Sequence, residues 1–117
     1  MSGSPALDPA LDQVLDRTLA ALADPVRRRG VELLAARPRR AGELATELGV
    51  SPAVMSRHLR VLREAGLVHE EHPEFDARVR ILTLHPTPMA DLRGWLARAE
   101  AGWVEQLGAF KAHLERE

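Results

Sequence analysis

The stretch Ala41 to Leu67, AGELATELGVSPAVMSRHLRVLREAGL, leaves few alternatives to two short helices meeting at a tight turn. In the first helix Leu44, Ala45 and Leu48 share one face, and Gly49 stands where the backbone needs an angle that glycine tolerates best. Ser51 caps the next helix and Pro52 opens it, since proline lacks only an N–H that has no helical partner there. Met55, Leu59 and Leu62 recur at i, i+4 and i+7, a stripe directed at a core, and Gly66 closes the helix. The opposite face carries Ala53, Ser56, Arg57 and Arg60: a small residue, a hydroxyl and two guanidinium groups. A helix-turn-helix sets the N-terminal half of its second helix in the major groove of DNA. Small residues there allow close approach, and arginine pairs with guanine O6 and N7. The same geometry occurs in proteins that touch no nucleic acid, so this stretch alone leaves open a helical hairpin with a solvated basic face.

Charge distribution favours a polyanionic partner more than the total does. The net charge is −1, yet residues 25 to 66 hold nine arginines against four glutamates, whereas the remainder holds seven basic and thirteen acidic residues. The basic charge gathers around the reading element, as an electrostatic footprint requires. A near-neutral total predicts modest non-specific affinity. The 117 residues suit one domain, with residues 1 to 6 expected as a disordered tail and 7 to 117 as the folded unit. No apolar run approaches the roughly 20 residues that span a bilayer, and MSGSPALDPALD lacks the basic-then-apolar order of a signal peptide; a cytoplasmic protein without membrane contact is expected. Cysteine is absent, which excludes disulfides and thiolate metal sites. Nothing suggests an enzyme or a cofactor: Ser56 and His58, two apart on a helix, point away from each other, and glycine loops for phosphate are missing.

Leu7, Leu11, Val14, Leu15, Thr18, Leu19 and Leu22 recur at helical spacing and form a first amphipathic helix. Asp24 as N-cap with Pro25 at N1 starts a second, whose buried side is Val26, Leu33 and Leu34 up to about Ala36, and Pro38 ends it. Leu67 to His69 and Arg78 to Leu84 read as strands, with Pro73 to Asp76 as the turn of a hairpin. Thr87 caps a last helix with Pro88 at N1, and Leu92, Leu96, Ala99, Trp103, Leu107, Phe110 and Leu114 give it an apolar stripe. The fold class is mainly α with a small β-hairpin.

The order helix, helix, helix-turn-helix, hairpin, long helix, with LADPVRRR and SRHLRVLREAGLV in these places, resembles the ArsR family of winged helix-turn-helix repressors over roughly residues 11 to 114. The resemblance implies about five helices and a two-stranded wing. Residues 7 to 23 and 87 to 115 would form the dimer interface, 41 to 66 the helix-turn-helix and 67 to 84 the wing. It also implies a homodimeric, sequence-specific DNA-binding transcriptional regulator, a repressor that occludes a palindromic operator. The partners would then be an inverted-repeat duplex and a second copy of the chain. The dimer has a separate warrant, because the terminal stripes with Trp95, Trp103 and Phe110 offer more apolar surface than one small core hides. The expected interface is Leu11, Leu15, Leu19, Leu92, Trp95, Leu96, Ala99, Trp103, Leu107 and Phe110. Two-fold symmetry then spaces half-sites by about one helical turn, roughly 34 Å.

Expected DNA contacts are Ser51, Pro52, Ala53, Ser56, Arg57, His58 and Arg60, with phosphate contacts from Arg39 or Arg40 and from Arg78 and Arg80. His58 reads equally as a neighbour of DNA and as a half-buried helix residue. Arg40 stands where relatives often place a capping Ser or Thr, and Gly30 where they place a bulky aliphatic. Either another backbone packs against Gly30 or the helix is soft there. Glu70, Glu71, Glu74 and Asp76 make the wing tip acidic, which phosphate repels. The family's cysteine metal site on the third helix is absent. Asp91, Glu100, Glu105, His113 and Glu115 on the last helix fall short of the two or more nitrogen ligands zinc needs, so no metal is expected. His69, His72 and His85 read as exposed polar residues. Two further readings remain: a winged-helix dimer used for protein interaction through its acidic wing, and a metal-responsive repressor with a non-cysteine site. The effector has no signature in the sequence.

Overall fold

The computed structural model describes residues 8–116, so the expected tail at 1 to 6 lies outside the described residues. Five helices and three short strands follow in the order α1 (Pro9–Leu22), α2 (Pro25–Ala36), β1 (Arg39–Arg40), α3 (Ala41–Leu48), α4 (Pro52–Glu64), β2 (Val68–Glu71), β3 (Ile81–Leu84) and α5 (Pro86–Glu115). Four of the helices begin with proline just inside the start, and each has a side-chain cap before it. Asp8 accepts from the N–H groups of Ala10 and Leu11, and Asp24 from those of Val26 and Arg27. Ser51 accepts from Val54, and the His85 ring from Thr87. These caps satisfy N–H groups that the helix itself leaves without partners. Helix α1 therefore begins after Asp8; Leu7, expected in its stripe, lies outside the described residues. Helix α5 begins at Pro86 rather than after Thr87, because the first turn tolerates both Pro86 and Pro88 and His85 caps it.

Helix α3 has no side-chain cap, as Arg40 at that position foreshadows. Its first N–H, from Ala41, donates instead to the Arg80 carbonyl at 3.1 Å. This tie follows from β1, a strand the periodicity did not reveal. The sheet order is β1-β3-β2, all antiparallel, with Arg39 opposite Leu82 and Glu70 opposite Leu82 from the other side. The wing hairpin is thus stitched to the entry of the helix-turn-helix. At the turn itself Gly49 adopts φ 69°, and Gly66 adopts φ 75° at the end of α4. In that left-handed region a side chain costs energy. Leu67 donates back to the Leu62 carbonyl at 2.9 Å, which closes α4 and aims the chain into β2.

The core gathers Val31 and Leu34 of α2, Leu44 and Ala45 of α3, Met55, Leu59 and Leu62 of α4, and Leu67, Val68 and Leu82 of the wing base. The stripe expected on α4 is the buried one. Gly30 is buried too, but a Cβ there would meet only the Leu48 Cδ1 at 3.6 Å, ordinary contact with a side chain. No neighbouring backbone demands glycine there. Helix α1 packs on α5, and Leu15 and Leu92 are buried in the chain itself. Both were expected at a dimer interface, and intrachain packing takes up both of them. The rest of α5 projects past this contact. Over its 30 residues it runs about 45 Å, and Leu96, Trp103, Leu107, Phe110 and Leu114 stay about half exposed or more, as does Val104 beside them. Among the described residues no helix is long and apolar enough to cross a membrane.

Candidate nucleic-acid interface

Helix α4 turns Met55, Leu59 and Leu62 into the core, so its opposite face is presented outward at full length. Pro52, Ala53, Ser56, Arg57 and Arg60 are all exposed on that face. Ser51, also exposed, accepts the Val54 N–H at 3.2 Å, which leaves its hydroxyl hydrogen to donate elsewhere. Arg57 and Arg60 make no hydrogen bond or ion pair among the described residues. Two unneutralised guanidiniums with small and hydroxyl side chains between them suit hydrogen bonding to base edges and phosphates.

Most of the other arginines near the helix-turn-helix are committed within the chain. Arg27 donates to the carbonyls of Ala20 and Ala21, and Arg28 to those of Leu22 and Ala23. These are the last carbonyls of α1, so the arginine run after Asp24-Pro25 acts as a cap for the preceding helix. Asp24 at the same junction is held below the usual carboxylate range, chiefly by the Arg27 backbone N–H it accepts. Arg29 pairs with Glu32. Arg37 pairs with Glu43 at 2.6 Å, which lowers the Glu43 pKa and raises that of Arg37.

Three of the residues expected at DNA have partners within the chain. Arg39 is only 7% exposed; it donates to the carbonyls of Leu33 and Arg37 and to Glu47 at 3.0 Å. It caps α2 from inside, with its guanidinium enclosed by these acceptors. Its neighbour Arg40 points the other way, because adjacent strand residues face opposite sides, and its side chain has no partner among the described residues. His58 is half-buried, its Nδ1 3.2 Å from Arg27 Nη1. A guanidinium only donates, so Nδ1 accepts, and the half-buried setting that the sequence allows for His58 is the one seen. Arg80 donates through Nε and Nη2 to Glu70, at 3.1 and 2.8 Å, and is half-buried.

The wing tip is less acidic than its sequence. Glu70 sits between Arg80 and Arg63, with His72 beyond, and the Arg80 hydrogen bond holds its carboxyl below the usual range. Asp76 accepts both the backbone and the side-chain Nε of Arg78. That bond holds residues 76 to 79 in a turn, so β3 starts at Ile81 instead of Arg78. Arg78 remains 93% exposed. The acids left unneutralised by arginine are Glu71 and Glu74, beside Phe75, which is 83% exposed. Sequence reasoning passed over Phe75, though a phenylalanine inside a polar turn is itself the signal.

Arg40, Arg78 and Ser56 meet around one groove of about 420 Å³ between α3, α4 and the segment 78–80. Among the described residues no group of three or more His, Cys, Asp or Glu lies together as a metal site would.

With this geometry in hand, the comparisons with known proteins are specific. The profile of the bacterial regulatory proteins of the arsR family matches residues 24–70. The HTH-type transcriptional regulator Rv2034 of Mycobacterium tuberculosis is 39% identical over 102 residues, which is 87% of this chain and 90% of that protein. This chain belongs to the ArsR family. Among solved structures, an ArsR-like transcriptional regulator from Rhodococcus sp. RHA1 superposes with a TM-score of 0.77 at 26% identity, covering 95% of this chain and 99% of that one. The homodimeric winged helix-turn-helix DNA-binding domain Mb0332 of Mycobacterium bovis shares the fold at TM-score 0.64 and 24% identity, over 91% and 95% of the two chains. The ArsR-family chain is a transcriptional regulator with a winged helix-turn-helix, in which α3 and α4 are the helix-turn-helix and β2 and β3 the wing.

Proposed function

We propose that the chain is a homodimeric repressor that acts in the cytoplasm by occluding an inverted-repeat operator. The observation that carries the reading is the outward face of α4, where Ser56, Arg57 and Arg60 stand exposed and uncommitted between Arg40 and Arg78. Bases are read by Ser56, Arg57 and Arg60, with Ser51, Pro52 and Ala53 allowing close approach. Phosphates are held by Arg40 and Arg78. Dimerisation uses Leu19, Trp95, Leu96, Ala99, Trp103, Leu107 and Phe110, joined by Val104 and Leu114; Leu11 lies half-buried beside them. Exposed apolar surface of this extent on one helix is what a two-fold partner covers, and the M. bovis domain of the same fold is itself a homodimer.

Fluorescence anisotropy with labelled duplexes from the DNA upstream of the chain's own gene tests this. One inverted-repeat fragment should bind far more tightly than a scrambled duplex, with affinity falling steeply as salt rises. Equal affinity for every fragment overturns the reading. Light scattering after size exclusion tests the dimer: the native chain should run as two copies and Trp103→Glu as one.

A second reading draws on Phe75 exposed between Glu74 and Asp76. A tip of this kind suits a protein partner better than phosphate, so the wing engages protein while α4 engages DNA.

A further inference from the structure

We propose that the groove between α3, α4 and the 78–80 segment is a ligand site for a small organic anion with an apolar body, and that its occupant competes with DNA. The inference rests on α4 as the reading helix and adds regulation at that same surface. The groove, at about 420 Å³, falls within the roughly 300–1,000 Å³ typical of small-molecule sites. Its wall has two chemistries. Ala41, Pro52 and Val79, backed by the buried Met55 and Leu59, form an apolar floor, whereas Arg40, Arg78 and Arg80 form a cationic rim.

A sugar-phosphate strand lying across this groove satisfies the rim and leaves the floor without a matching surface. Phosphate recognition calls for N–H and O–H donors, and the alanine, proline and valine side chains of this floor supply none. The floor instead fits an aliphatic or aromatic body, and the rim fits a single carboxylate or sulfonate on it. Charge on the rim is net positive where the ligand would enter. The one acid in the lining, Glu43, is already tied to Arg37 at 2.6 Å. Arg80 is tied to Glu70 and Arg78 to Asp76 through Nε, but Arg40 has no partner among the described residues. Arg40 is therefore the principal anion contact, with the remaining N–H groups of Arg78 beside it. Competition follows from shared residues: Pro52 and Ser56 belong both to the groove and to the outward face of α4.

The test uses the full chain carrying ¹³C-methyl methionine, with 2-naphthoate as probe. Titration should move the Met55 methyl resonance saturably and leave that of Met89, in α5, in place. Saturating 2-naphthoate should weaken operator binding at least tenfold, whereas acetate at the same concentration, with the same charge and no apolar body, should leave both readouts unchanged. Gly42→Leu should abolish the Met55 response, because a Cβ at Gly42 meets nothing within 4 Å and the larger side chain fills the groove. Arg40→Gln should weaken 2-naphthoate severalfold. The proposal is overturned if Met55 does not respond, if its response survives Gly42→Leu, or if acetate displaces DNA equally well. A response confined to Trp95 and Trp103 fluorescence also overturns it, since that places the probe on α5. If the unliganded chain binds no duplex selectively, the repressor reading fails while the Met55 titration still decides the groove.

Discussion

The segment from α2 to β1 and helix α4 are both rich in arginine, and they hold it in opposite ways. In the first, Arg27, Arg28, Arg29, Arg37 and Arg39 all bond to carbonyls or carboxylates of the same chain. In the second, Arg57 and Arg60 bond to nothing described, and Arg63 alone reaches an acid, Glu70. A basic stretch in a sequence is therefore no direct measure of the charge a partner meets. The neighbours Arg39 and Arg40 show the division at its sharpest, one buried as a cap and one exposed at a groove.

The comparison breaks first, and by the largest effect, at Arg39. Arg39→Ala should lower the unfolding free energy by about 3 kcal/mol in urea denaturation, since it removes a buried cation and leaves its carbonyl and carboxylate acceptors without a donor. An unchanged midpoint would mean that the inner arginines are ornamental. Next, Arg57→Ala should leave the urea midpoint within about 0.5 kcal/mol. It should weaken operator binding by about 1–3 kcal/mol and relax the preference at one base position. A loss of stability instead would place Arg57 among the inner set. Arg40→Ala should weaken all duplexes alike and reduce the salt slope by about 1, without a change in base preference. A change in preference would turn a phosphate contact into a reader.

The smallest effect concerns Glu70, the acid that holds Arg80 and Arg63 away from the outer face. Its pKa in the folded chain lies below the usual 4.5, so its contribution to stability is complete above that value and is lost as pH falls through the depressed one. Glu70→Gln should make the acid limb of the stability curve shallower as pH falls below the usual 4.5 and change little at pH 7. An unaltered acid limb would show that the wing's ion pairs are surface decoration.

What could be read in the sequence was local. Asp24-Pro25, Ser51-Pro52, Gly49 and Gly66 mark their helix ends because the groups that cap or turn the chain sit within a few residues of those they serve. The α4 stripe was legible for the same reason. Asp8-Pro9 and His85-Pro86 carry comparable start signals, but nearby apolar spacing and Thr87-Pro88 offered equal alternatives. The fate of each arginine was not legible, since it depends on pairs brought together by folding. Arg80 meets Glu70 across the hairpin, and Arg39 meets Glu47 through a strand of two residues that no periodicity can announce. The turn at Asp76 hid behind a strand pattern because a side-chain acceptor outcompeted extended pairing. Leu15 and Leu92 looked like the rest of their stripes, and only the packing of α1 on α5 separates them from the exposed remainder.

The apolar row on α5 has a mechanical consequence. Its apolar positions recur at every eleventh residue: Leu92 and Trp103, Leu96 and Leu107, Ala99 and Phe110, Trp103 and Leu114. Three turns of an α-helix take about 10.8 residues, so the row drifts by only about 20° per repeat and in the right-handed sense, where a seven-residue repeat would force a left-handed coil. From Leu92 to Leu114 this is a strut of about 33 Å at 1.5 Å per residue. A strut converts angle into distance. Tilting its seat against α1 by about 5° swings the far end by roughly 3 Å over that length, so small adjustments near Leu15 and Leu92 are felt at full stroke by whatever rests on Phe110.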